Sequence, residues 1–191
     1  MEMPAENVNL CGKLLIAMPG MGDPRFERSV VYICDHTENG AMGLIVNKPT
    51  PEVTFAKLIE QLSIEAGENM PKAPIYFGGP VEIGRGFVLH STDYCHSDIT
   101  LAVDDDFGMT ATRDVLADLA NGSGPKSALL ALGYSGWGAG QLENEIRQNG
   151  WLTCDATPEV VFNVPNQDKW TAALKLLGVD ALMLSATAGH A

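Results

Sequence analysis

Basic residues are scarce in this chain: 12 Lys and Arg stand against 24 Asp and Glu in 191 residues, a formal charge of −12. Proteins that grip nucleic acid replace condensed counterions with Lys and Arg, and a footprint of about six to ten phosphate contacts would enlist most of these bases on one face. Direct nucleic-acid binding is therefore not expected. Long apolar runs are missing too. The first, Leu14 to Met18, is five residues long, far short of the roughly 20 that cross a bilayer as a helix, so no membrane role is expected. The four cysteines, Cys11, Cys34, Cys95 and Cys154, are 23, 61 and 59 positions apart. Without a C-x-x-C pair they make neither a zinc ribbon nor a dense disulfide framework. They read as small buried hydrophobes in a reducing compartment. The N-terminus carries Glu2 and Glu6 where a secretory leader carries bases, and the expected location is cytoplasmic.

What is present is an ordinary core composition, with 46% hydrophobic residues. A chain of this size buries roughly 70% of the surface its unfolded form exposes. No repeat, low-complexity block or linker divides it, so residues 1–191 are expected to form one domain with loose ends at 1–9 and 185–191.

The patterning predicts an α+β fold: a mainly antiparallel, coiled or partly barrel-like sheet flanked by about four helices. Leu14 to Met18 and Val30 to Cys34 are continuously apolar, as in strands buried on both faces. Asn39-Gly40 predicts a hairpin turn into Met42–Val46, closed by Asn47-Lys48-Pro49 because proline lacks the N–H that would continue a ladder. Phe55, Leu58, Ile59 and Leu62 fall at helical spacing behind a Thr54 cap. Short strands are expected at 75–77, 86–89, 99–103 and 108–111, with Gly78-Gly79-Pro80 and Asp104-Asp105-Asp106 between them. A helix at Val115–Leu119 stops at Asn121-Gly122, and a strand follows at Ala128–Leu132. Then come a glycine turn, a helix from Gln141, strands at Trp151–Cys154 and Val160–Phe162, and a last helical stripe that ends at Gly178 in the left-handed position, with Val179 as its hydrophobic contact.

The most conspicuous stretch is Gly133-Tyr134-Ser135-Gly136-Trp137-Gly138-Ala139-Gly140. A glycine turn between strand and helix aims N–H groups at an anion, but three phosphate or nucleophile motifs fail here. A dinucleotide fingerprint starting at Gly136 or Gly138 ends on Gln141 or Glu143; a Walker loop lacks Gly-Lys-Ser/Thr; a nucleophile elbow requires glycine where Trp137 stands. Glu143 and Glu145 complement the helix start and would repel phosphate. Two readings remain for the stretch, a structural tight turn around Trp137 and one wall of a small-molecule pocket.

His90 through Asp98 holds imidazole, thiol and carboxylate, but His90 and His96 are six apart, which is neither the i, i+4 of a helical zinc site nor a finger spacing. Asp104-Asp105-Asp106 lacks the glycine and bidentate Glu of a calcium loop. No metal or cofactor is expected. Ser135 with His36 or His90 and an aspartate is the enzyme alternative, a hydrolytic triad recognised by geometry alone. Asn47 and Lys48 are expected to line a cleft with the glycine stretch.

Four blocks in order, Pro19 to Tyr32, Gly40 to Pro49, Gly78 to Val81 and Gly133 to Glu143, resemble the AlgH/YqgE family of bacterial proteins over nearly the whole chain. The resemblance implies a cytosolic single-domain protein with a coiled sheet and brings no catalytic residue, cofactor or ligand. Its members are often labelled transcriptional regulators through an association with alginate production. Where this chain has Ser135, relatives often have alanine, which weighs against a serine nucleophile. The combined expectation is a non-enzymatic binding or regulatory protein that meets a protein partner. Its contact surface would comprise Asn47, Lys48, Pro49, Gly78, Gly79, Pro80, Gly133, Ser135, Gly136, Trp137, Gln141 and Glu143. The identity of any small-molecule ligand is left open.

Overall fold

The structure, a computed structural model, describes residues 8–68, 70–95 and 100–188. Ten strands and five α-helices follow in chain order: β1 (Lys13–Ala17), β2 (Val30–Thr37), β3 (Gly40–Ile45), β4 (Pro49–Thr54), α1 (Phe55–Gln61), β5 (Pro74–Phe77), β6 (Val81–His90), β7 (Thr100–Ala102), β8 (Gly108–Thr110), α2 (Arg113–Ala120), β9 (Ala128–Gly138), α3 (Gln141–Arg147), β10 (Trp151–Asp155), α4 (Asn166–Leu176) and α5 (Ala181–Ala188). A 3-10 turn covers Pro24–Phe26 and a π turn Glu159–Asn163. Among the described residues the helices thus number five, one more than expected.

The strands make one curled, largely antiparallel sheet in the order β10-β1-β2-β3-β9-β6-β8-β7, with β5 beside β9 and β4 beside β5. β9 is its spine. Along its last residues it pairs with β3, from Gly43 opposite Ser135 to Gly40 opposite Gly138. Along its first half it is flanked by β6, antiparallel, and by β5, the parallel neighbour, with Phe77 opposite Leu132.

β1 and β2 are buried on both faces, as their unbroken apolar runs require. The concave side holds Leu14, Tyr32, Leu44, Phe87, Leu129 and, from α4, Trp170 and Leu174. On the convex side Leu15, Val31 and Ile45 pack with Trp137, Trp151 and Leu142 of α3. A third cluster lies where α1 and α2 cover β5, β6 and β9 through Phe55, Ile59, Val115 and Val88. α1 starts as the sequence requires: the Thr54 hydroxyl accepts from the Lys57 N–H at 3.2 Å. α4 ends at Gly178, φ +70, with the Val179 N–H on the Leu174 carbonyl at 3.1 Å.

Several local expectations are corrected. Pro49 does not end the strand region but opens β4, where Pro49 lies opposite Tyr76; among the described residues β4 pairs only with β5, and an edge strand tolerates proline. The hairpin loop is Glu38-Asn39, with Gly40 already paired to Thr37. Val160–Phe162 is part of the π turn and not a strand. α5 runs from Ala181 to Ala188. Ile99, His96 to Asp98, residues 1–7 and 189–191 lie outside the described residues.

Candidate functional site

The glycine stretch is not a turn. β9 runs through it to Gly138, and the turn is confined to Ala139-Gly140, with Gly140 at φ +73 capping α3. The glycines serve a crossing of backbones. After β5 the chain passes over β9 at Gly78-Gly79-Pro80 to begin β6 on its other side, where Val81 lies opposite Tyr134. A Cβ on Gly79, φ +155, would run into the Tyr134 backbone; one on Gly78 would meet the Gly133 carbonyl, and one on Gly133, φ +73, the Gly79 carbonyl. Only glycine lets two main chains touch this way. The Gly78 carbonyl then accepts from the Ile45 N–H at 2.9 Å and from the Ser135 hydroxyl at 3.2 Å.

That bond decides the fate of Ser135. Its side chain is fully buried and hydrogen-bonded within the crossing, and neither histidine approaches it as a partner. His36 bonds through Nε2 to Glu143 at 2.5 Å and accepts the Leu10 N–H on Nδ1 at 3.1 Å. His90 is a buried core residue, bonded to Thr110 Oγ1 at 2.9 Å and to the Ser91 carbonyl at 2.8 Å, and burial lowers its pKa. The hydrolytic alternative built on Ser135 is therefore not supported. Among the described residues no three His, Cys, Asp or Glu side chains gather as a metal site. Asp104 instead closes its own turn, accepting the Asp106 and Phe107 N–H groups at 2.8 and 2.9 Å.

Asn47 and Lys48 face a different segment from the glycines. Asn47 accepts the Val30 N–H and donates to the Arg28 carbonyl, each at 2.9 Å, and Lys48 Nζ donates to the Arg25 carbonyl at 3.0 Å. Together they brace the loop between β1 and β2, which encloses a hollow of ≈ 410 Å³ between Ala17 and Arg28. Gln141 and Glu143 are also engaged by this chain's own groups: Gln141 Oε1 accepts the Gly138 N–H at 3.0 Å, and His36 holds the Glu143 carboxyl below its usual pKa. Behind β3, the Lys169 ammonium of α4 is 1% exposed, donates to the Val46 carbonyl at 2.7 Å and lies 5.1 Å from the Tyr76 ring centre. Burial pushes its pKa down to about 8.

A larger space, with room for another molecule, is a groove of ≈ 600 Å³ at the mouth of the curled sheet. Gly136 of β9 contributes no side chain to it. Tyr134, two residues earlier, packs with the concave cluster, and Trp137 sends its indole to the convex one, 6.0 Å from Trp151 between ring centres. Met42, Phe87, Met109 and Tyr134 give the groove apolar lining, with Asp35, Thr37, Asn39, Glu82 and Arg85 as its polar part. Between Val81 and Gly86 the β6 strand makes an excursion, residues 82–85, in which Glu82 sits at φ +47 and Ile83 is 65% exposed. Arg85 spans it, 3.6 Å from the Glu82 carboxylate and 5.1 Å from the Phe87 ring centre. Of the surface read from the sequence, only Gly136 and Trp137 reach this groove. Its other walls come from four further strands, and no local motif announces such an assembly; the run of alternate glycines at 136 and 138 was the available sign that β9 leaves a face unfilled.

Fold and groove together define a half-barrel α+β protein with a concave recess. A family model described as AlgH-like matches residues 14–182. The UPF0301 protein of Ruegeria pomeroyi is 60% identical over 185 residues, 96% of this chain and 100% of that one. The UPF0301 protein of Paracoccus denitrificans is 56% identical over 188 residues, 97% and 99% of the two chains. The solution structure of the AlgH protein from Pseudomonas aeruginosa superposes with a TM-score of 0.76 at 42% identity, covering 100% of both chains. A crystal structure of a Corynebacterium diphtheriae protein shares the fold at a TM-score of 0.71 and 22% identity, over 92% of this chain and 89% of the other. The chain belongs to the AlgH-like family.

Proposed function

We propose that this chain is a non-catalytic binding protein, regulatory in role and cytosolic, that acts by contacting a protein partner through the groove at the mouth of the sheet. The observation that carries this reading is the groove itself: apolar lining and charged flanks beside a β9 segment whose Ser135 hydroxyl is spent inside the fold. Recesses of this kind with few convergent polar groups are the usual places of ligand and partner contact. The regulator reading also draws on the AlgH name of the family. With 12 bases against 24 acids, the partner is a polypeptide and not a duplex.

The test is photo-cross-linking in growing cells, with a benzophenone side chain placed at exposed Ile83 beside the groove and, as control, at exposed Glu60 on α1. Discrete adducts from position 83 that are absent from position 60, identified as protein by mass spectrometry, are the expected result. No adduct at position 83, or tight, salt-sensitive binding of a short duplex by the purified protein, would overturn the reading.

A further inference from the structure

The register of β9 leaves part of one edge open. β3 accompanies β9 to Gly138, whereas on the other side Val81 lies opposite Tyr134 and β6 reaches no further. Residues 135–138 therefore have a strand on one edge and, among the described residues, no strand on the other, although the Gln141 side chain already holds the Gly138 N–H at 3.0 Å. Proteins commonly blunt such an edge with proline, lysine or an inward charge. Ser135-Gly136-Trp137-Gly138 carries none of these. The same segment borders the groove, whose Met42, Met109 and Tyr134 offer apolar contact to one face of anything laid beside it.

We infer that this edge takes an extended, lysine- or arginine-bearing segment of a partner protein as an added strand. The inference rests on the groove reading above and specifies its partner. In strand addition the main chain supplies the hydrogen bonds while alternate side chains enter a recess, which matches an open edge running along an apolar hollow. Charge selects the occupant. Asp35 and Glu82 line the groove against the one base Arg85, which Glu82 and the Phe87 ring already engage. A chain of net charge −12 draws cationic segments from a distance. It repels a second copy of itself by the same token.

The probes are three acetylated octapeptides: alternating lysine and valine, alternating glutamate and valine, and the lysine–valine peptide N-methylated at every backbone nitrogen. Each is titrated into the isotopically labelled full chain and followed by amide shifts and amide exchange. The lysine–valine peptide is expected to shift amides in residues 135–138 and to slow those that neither β3 nor the Gln141 side chain already holds. N-methylation, or glutamate in place of lysine, should weaken binding by about tenfold or more, the size of a lost set of main-chain bonds or an inverted charge. The D35N/E82Q variant, altered only at exposed positions, should bind the lysine peptide several-fold more weakly and become less salt-sensitive. Undiminished binding of the methylated peptide, shifts centred away from the groove, or no binding of the lysine–valine peptide would overturn strand addition. So would concentration-dependent self-association through residues 135–138. Because cross-linking at Ile83 is scored separately, strand addition can fail while the groove reading stands.

Discussion

The Ser135 hydroxyl donates to the Gly78 carbonyl at 3.2 Å, tying the spine of the sheet to the chain that crosses it. The same carbonyl also accepts the Ile45 N–H, so it stays satisfied when the hydroxyl is removed. Ser135→Ala should therefore cost about 1 kcal/mol in urea unfolding, the net worth of one hydrogen bond. Any ester hydrolysis detected in a purified preparation should be unchanged by the substitution.

Gly79 and Gly84 separate close packing from open space. Gly79 is at φ +155 with the Tyr134 backbone where a Cβ would go, while nothing lies within 4 Å of a Cβ on Gly84. Gly79→Ala is expected to destabilise by roughly 3 kcal/mol through overpacking and backbone strain. Gly84→Ala should stay within about 0.5 kcal/mol of wild type. Chemical denaturation of both variants checks the contrast.

Lys169 makes stability depend on alkaline pH. Its folded-state pKa is depressed from 10.5 to about 8 by burial. Between these values the unfolded chain holds the proton that the folded chain has released, so the contribution of Lys169 to stability rises with pH across that interval. The rise is on the order of 3 kcal/mol if the whole difference is expressed. Lys169→Met should lose that rise and keep the opposing fall contributed by the Cys34 and Cys154 thiols, whose pKa values burial raises.

The His36–Glu143 pair acts at the acid end. Glu143 is held below its ordinary value of 4.5, chiefly by the hydrogen bond to His36. Its contribution is fully present above the unfolded-state value and is lost as pH falls through the folded-state one. With the carboxylate side chain 40% exposed, solvent screening limits the effect to below about 1 kcal/mol. Glu143→Gln should flatten the acid limb of a stability–pH curve and leave the alkaline limb unchanged.

Much of the secondary structure was legible because local signals carried it. Thr54 before the Phe55, Ile59 stripe, Gly178 after α4 and the apolar runs of β1 and β2 each specify their element with short-range chemistry. The glycine stretch misled because glycine reads as a turn residue, yet Gly133 and Gly78 are glycines on account of a backbone 55 positions away in the chain. Pro49 misled for a related reason: a proline argues against a strand only where both edges are paired, and β4 has one neighbour. The groove was not legible at all. Its walls come from β2, β3, β6, β8 and β9, and only the curl of the sheet makes Asp35 and Arg85 share a recess. Asn47 and Lys48 read as polar groups at a strand end that face the glycine stretch, whereas the loop they brace, Arg25 to Val30, precedes them in the chain and carries no local sign of needing support.

The position of β9 has a bearing on biosynthesis. Its three neighbours, β3, β5 and β6, all precede it in the chain, so a ribosome has delivered each of them before the strand that joins them exists. Until residue 138 emerges, these strands carry apolar faces and unsatisfied main-chain groups at once, the state most prone to clumping. Fragments that stop short of β9 should collect in inclusion bodies, and the intact chain should depend on holdase chaperones during synthesis more than its modest size suggests.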